Sequence, residues 1–168
     1  YTDLVGESSE SLVYQKQLAE SHLQLGNLYG WRRHNPAEGI RHLQSARELY
    51  DALASSAPDT LEYRTGQFAC HRGLGVTYFE LGKIDDADKE MAEATRIMRK
   101  LASDNPRNLE YQFDISNALL GQSAVFARSG RGQQSKKPFH ESMEIMQTLV
   151  EQPNVSARDR LKYGGAYT

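Results

Sequence analysis

The 168-residue chain has little of most things that would announce a chemistry. It holds one Cys, so neither an internal disulfide nor a Cys-based zinc cluster is open to it. No apolar run approaches the roughly 18 residues that a membrane-spanning helix needs, so no membrane partner is expected. Neither sign of charge dominates: 20 Lys and Arg face 22 Asp and Glu, a formal charge of −2. That balance argues against a dedicated nucleic-acid or anionic-membrane binder. Hydrophobic residues make up only 39%, too few for a large central core. Period-two alternation is missing too, so no strand is expected and the fold class is all-α.

What the chain does have is an internal repeat. Leu61-Glu62-Tyr63 returns as Leu109-Glu110-Tyr111, 48 residues later, and Leu12-Val13-Tyr14 precedes the first of these by 49. A small residue stands three before an aromatic in each copy: Gly26 and Tyr29, Gly75 and Tyr78, Ser123 and Phe126. The second halves repeat as well. Ala46, Leu49, Tyr50 and Leu53 align with Ala94, Ile97, Met98 and Leu101, and then with Ser142, Ile145, Met146 and Leu149. Each set has the i, i+3, i+4, i+7 spacing of one helical face. The repeats run over 11–60, 61–108 and 109–155. Residues 1–5 match the end of a preceding repeat, and Ser156 to Asp159 reads as a capping box opening a further helix over 156–168. The expectation is a piece of a longer array.

Each repeat reads as helix–turn–helix. Pro58, Pro106 and Pro153 mark where one repeat stops and the next begins. Asp59 with Glu62 reads as a cap for a helix over 61–81, closed by Gly82 in a left-handed conformation. Asp85 reads as the next cap. Asn35-Pro36-Ala37-Glu38 combines an Asn cap, Pro at the first helical position and Glu three after the cap. In the third repeat, Pro138 falls where the other copies are already helical. A Pro inside a helix costs about 3 kcal/mol, so the sequence predicts a loose turn over 129–135, Ser135 as cap and Pro138 in the first turn.

These residues resemble the tetratricopeptide repeat family. In that family the first helix carries a leucine, a small residue and an aromatic three on, and the second carries small, bulky and small residues. Here they are Leu74, Gly75, Tyr78, Ala87, Met91 and Ala94. The first repeat offers Leu25, Gly26, Tyr29, Gly39, Leu43 and Ala46, after a one-residue insertion in the turn. The third departs, with Gln122, Ser123, Phe126, Ser135, Phe139 and Ser142. The resemblance covers nearly the whole chain. The period exceeds the family's usual 34 residues. In that length it is similar to arrays beside bacterial serine/threonine kinase domains and in other signalling proteins.

The resemblance implies an α-α superhelix of antiparallel helical hairpins. Its concave groove would be lined by the first helices and would bind a protein or peptide. By family geometry the groove positions are Glu20, Leu23, Asn27, Gly30 and Trp31, then Ala69, Arg72, Val76, Phe79 and Glu80, then Asn117, Leu120, Ala124, Ala127 and Arg128. Apolar anchors and convergent polar groups together have the composition of an interface hot spot. Trp31 and Phe79 equally suit a role closing the turn end of their helices. The carboxylate clamp of one subfamily is incomplete, because Leu23 and Val76 stand where it needs Lys and Asn. Arg72 and Arg128 suit an acidic or phosphorylated peptide.

Enzyme chemistry finds no foothold. His22 and His71 share a repeat position and would lie on successive helices, each as a half-buried packing residue. His140-Glu141 lacks the second His of a zinc-protease motif. His34 and His42 read as solvated surface. Cys70 and its neighbour His71 point to different sides of a helix, so Cys70 reads as a small buried hydrophobe. The Gly73/Gly75 pair reads as helix packing. The expectation is a non-enzymatic, cofactor-free and cytoplasmic interaction module, a scaffold or regulatory segment. The alternative is an array that self-associates through exposed ends, giving a homodimer.

Overall fold

The computed structural model describes residues 2–32 and 35–152, with backbone alone at 2–10, 31 and 32. Among the described residues six α-helices follow one another: α1 Thr2–Asn27, α2 Pro36–Ser56, α3 Leu61–Glu80, α4 Ile84–Asp104, α5 Leu109–Arg128 and α6 Gly132–Glu151. No strand occurs among the described residues. The chain divides into two compact units, Tyr1–Gly82 and Lys83–Thr168. The division falls inside the second sequence repeat. The capping box at Ser156 lies outside the described residues.

In the first unit, α2 packs on both α1 and α3. Its buried stripe is Gly39, Leu43, Ala46, Tyr50 and Leu53. Ala19 of α1 and Cys70 of α3 complete that cluster, with Leu12, Leu23, Leu49 and Tyr63 packed around it. The crossing of α1 and α2 is tight because it is made of glycine. A Cβ on Gly39 would stand 2.7 Å from the amide nitrogen of Gly30 and 3.0 Å from the carbonyl oxygen of Gly26. Gly73 sits the same way: its Cβ would meet Leu43 and, at 2.9 Å, Asn27 Oδ1. The Gly73 half of the expected glycine packing is therefore plain.

The 49-residue spacing of the first repeat has a structural counterpart. α1 passes directly into a π-helical turn, Leu28–Arg32, between the repeat-matched Gly26 and Gly39. A π-turn takes up one residue more than an α-turn. The one-residue insertion thus coincides with a π-turn at the end of α1. Asn35 N–H then donates to Tyr29 O at 3.2 Å. Asn35 caps α2 as its sequence predicts, accepting from Glu38 N at 3.4 Å, with Pro36 at the first helical position.

Two other caps differ from expectation. α3 starts at Leu61 behind Thr60, with no side-chain cap bond, so Asp59 is not its cap. α4 starts at Ile84 behind Lys83, which puts Asp85 and Asp86 in its first turn. Carboxylates there still favour the positive end of the helix dipole. Gly82 closes α3 in the left-handed region as expected, at φ 71°, and Gly130 closes α5 the same way, at 75°.

In the second unit, α5 packs on both α4 and α6. α4 buries Ala87, Met91, Ala94, Thr95, Ile97, Met98, Leu101 and Ala102. α6 is the correction. It begins at Gly132 and runs through Pro138, so the turn is short and Ser135 is not its cap. Pro138 is buried, while Phe139 is 44% exposed. The bulky position of the repeat has therefore slipped by one residue. Pro138 pays no extra desolvation for its missing N–H, since it has no donor to bury. Its ring takes the inward place beside α5.

Candidate functional site

The first-unit groove positions fall on one face of α1 and one face of α3. That face of α1 is largely turned to α3. Lys16 Nζ is 2.7 Å from Glu62 Oε1 and 3.7 Å from Glu20, and its pKa is raised, chiefly by the hydrogen bond to Glu62. Leu23 packs against the cluster containing Cys70. Asn27 lies against Gly73, and Gly30 against Thr77, where an added Cβ would be 2.8 Å from the hydroxyl oxygen. Arg72 extends over the ring of Phe68 at 5.9 Å, and its Nε is buried without a hydrogen-bond partner among the described residues. Ala69, Val76 and Phe79 are half-buried, and Glu80 is exposed. Trp31 falls in the π-turn, and its side chain lies outside the described residues.

The second-unit positions lie on a single face of α5. Asn117 and Leu120 are half-buried, and Ala124, Ala127 and Arg128 are exposed. At 100° per residue, Leu119, Gln122 and Phe126 point to the opposite side of the same helix. That opposite side holds a cleft of about 470 Å³, which sequence reasoning missed. Leu119, Gln122 and Phe126 form its floor. Ala92, Thr95, Arg96 and Arg99 of α4 form one wall, and Gln134, Lys137, Pro138 and Glu141 of α6 the other. No motif marks these residues, because they come from three helices and only packing gathers them.

Both ends of the cleft are bridged. Arg99 pairs with Glu141 across it. At the other end Arg131, just before α6, reaches Asp85 and Asp88 of α4, and Gln122 Nε2 of the floor donates to Asp88 at 3.1 Å. Arg131 lies over Phe126 at 5.0 Å, donates from Nε to Ser129 Oγ at 2.8 Å, and stands 3.5 and 3.8 Å from Asp85 and Asp88. The Arg of a turn that reads as Gly-Arg-Gly is thus a brace between the α5–α6 turn and α4.

His22 and His71 are half-buried as expected, and His34 lies outside the described residues, but one histidine departs from expectation. His42 is not solvated surface: its side chain is only 16% exposed. Its Nδ1 is 2.9 Å from Nδ1 of His22, so one ring donates and the other accepts. Tyr29 stacks on His42 at 5.7 Å, and Glu38 stands 3.5 Å from its far nitrogen. The group ties α1 to α2. Cys70 is fully buried. No group of three or more His, Cys, Asp or Glu with metal-holding geometry occurs among the described residues. No described helix is long and apolar enough to cross a membrane.

The chain matches no family model, no curated protein and no solved structure. The tetratricopeptide resemblance therefore stands on the chain's own residues.

Proposed function

We propose that the chain is a non-catalytic protein–protein interaction module built from tetratricopeptide-like repeats, a scaffold or regulatory segment of a bacterial signalling protein such as a serine/threonine kinase. One observation carries the reading. The repeat-matched small residues are where helices cross in both units: Gly26 O faces Gly39 Cα in the first, and Ser123 Oγ donates to Ser135 O at 3.0 Å in the second. Repeats that pair their helices at the same two positions suit stacking into a superhelix. Such arrays present long helix-lined surfaces that bind peptides.

The test is a randomised heptapeptide display library panned on the full chain. Enriched peptides that bind one to one, and bind more weakly to Arg72→Glu or Asn117→Ala, support a first-helix groove. A second reading, self-association, is favoured by the exposed stripe of Tyr14, Leu18 and Leu25 on α1, which are 68, 50 and 38% exposed. No peptide enrichment, together with a mass that rises with concentration and returns to monomer in Leu18→Glu, selects it instead.

A further inference from the structure

We infer that the cleft between α4 and α6 is the docking site for an acidic peptide segment that inserts one bulky apolar side chain. The inference rests on the interaction reading above but moves the site to the other face of α5.

The floor and the α6 wall suit an apolar anchor. Leu119 is 3% exposed, Pro138 is buried and the ring of Phe126 is half-buried. The volume of about 470 Å³ lies within the range of small-ligand pockets. The rim suits acid. Three cations, Arg96, Arg99 and Lys137, line the cleft against one carboxylate, Glu141, although the whole chain carries −2. Arg99 is held by Glu141, and Arg96 by a two-bond pair with Glu93 at 2.6 and 2.9 Å. Lys137 has no ion-pair partner among the described residues, and it is exposed. An incoming carboxylate meets one free ammonium, Lys137, beside two guanidinium groups already held by Glu93 and Glu141.

The length of the cleft limits the occupant. Ala92 to Arg99 spans seven residues of helix, roughly 10 Å. That is about three residues of extended chain, and the ion pairs Arg99–Glu141 and Arg131–Asp88 mark its two ends. One apolar residue with an acidic residue on each side fills it. Gln122 and Gln134 add side-chain amides to the lining.

The experiment uses the full chain and the peptides enriched from the heptapeptide library, mapped by amide NMR shifts. Enriched peptides should carry Asp or Glu around one Leu, Phe or Trp and should shift Thr95, Leu119, Gln122 and Phe126. The Arg96→Glu/Lys137→Glu pair should weaken them at least tenfold. Ala92→Trp, which fills the cleft, should do the same, while Arg107→Glu, outside it, should leave binding within twofold. Raising NaCl from 50 to 500 mM should weaken wild-type binding several-fold, a measurement that needs no variant. Peptides that shift the Asn117, Leu120 and Ala124 face instead overturn the cleft and leave the interaction reading standing. Neutral or basic peptides in the cleft overturn the acidic partner. No enrichment at all overturns both.

Discussion

The hydroxyls of Ser116 and Ser142 stand 2.7 Å apart, fully buried between α5 and α6. Ser142 Oγ donates to Ser116 O at 3.0 Å, and Ser116 Oγ lies 3.2 Å from Ser142 O. At the matching repeat positions of the first unit stand Ala19 and Ala46, both also fully buried. The same helix crossing is therefore made once with methyl groups and once with a closed hydroxyl pair.

That relationship predicts non-additive substitutions. Ser116→Ala or Ser142→Ala alone removes one partner from a buried pair and should cost about 1 kcal/mol in urea unfolding. The double variant copies the Ala19–Ala46 arrangement. It should cost less than the two single changes added together, with a coupling of at least about 0.5 kcal/mol. Strict additivity would show that the hydroxyls do not act as a pair.

Gly66 and Tyr50 form a second tight contact. A Cβ added at Gly66 would land on the edge of the Tyr50 ring, and Tyr50 is only 3% exposed. A buried ring cannot swing away as the end of a flexible chain can. Gly66→Ala should destabilise the fold by about 2 kcal/mol, despite the better helix propensity of Ala. Thermal unfolding followed by circular dichroism measures this, and a gain in Tm would contradict it.

Tyr50 also sets a limit at alkaline pH. Burial, with smaller contributions from Glu20, Cys70 and Glu62, pushes its phenol from 10.0 up to about 12. The unfolded chain loses this proton first, so the unfolded state binds fewer protons between those values. Stability is complete below pH 10 and falls as pH rises toward 12. The loss should be about 2 kcal/mol and should be absent in Tyr50→Phe. Tyrosinate absorbance should show one of the nine tyrosines ionising late or only with unfolding.

Pro138 offers a gain. It stands seven residues into α6, where it removes the amide that would bond Gln134 O. Pro138→Ala restores that bond but gives up buried ring surface and some rigidity of the unfolded chain. The helix penalty of about 3 kcal/mol is the larger quantity. Pro138→Ala should be about 1 kcal/mol more stable in urea unfolding. It should also widen the cleft and weaken any peptide held there.

Much of the fold was legible because it is written in local patterns. The faces built on Ala46, Ala94 and Ser142 turn inward as their spacing implies, and Asn35 and Gly82 punctuate the chain where their chemistry demands. Pro138 misled because helix propensity counts only the lost bond. The burial of its ring against α5 is a tertiary contribution that no local rule contains. His42 misled for a related reason. A turn-flanking histidine looks solvated until α1 brings His22 within 2.9 Å of it.

The sequence by itself determined that the chain is helical, the period of its inward faces and the small residues at which helices cross, because each depends on neighbours within a turn or on a repeat that can be counted. Only the tertiary structure decided that a π-turn ends α1, which side of α6 faces inward, and that three unremarkable helix faces enclose a cleft with a basic rim. Those outcomes depend on side chains from separate helices meeting at a few ångströms, and a distance of that kind has no counterpart along the chain.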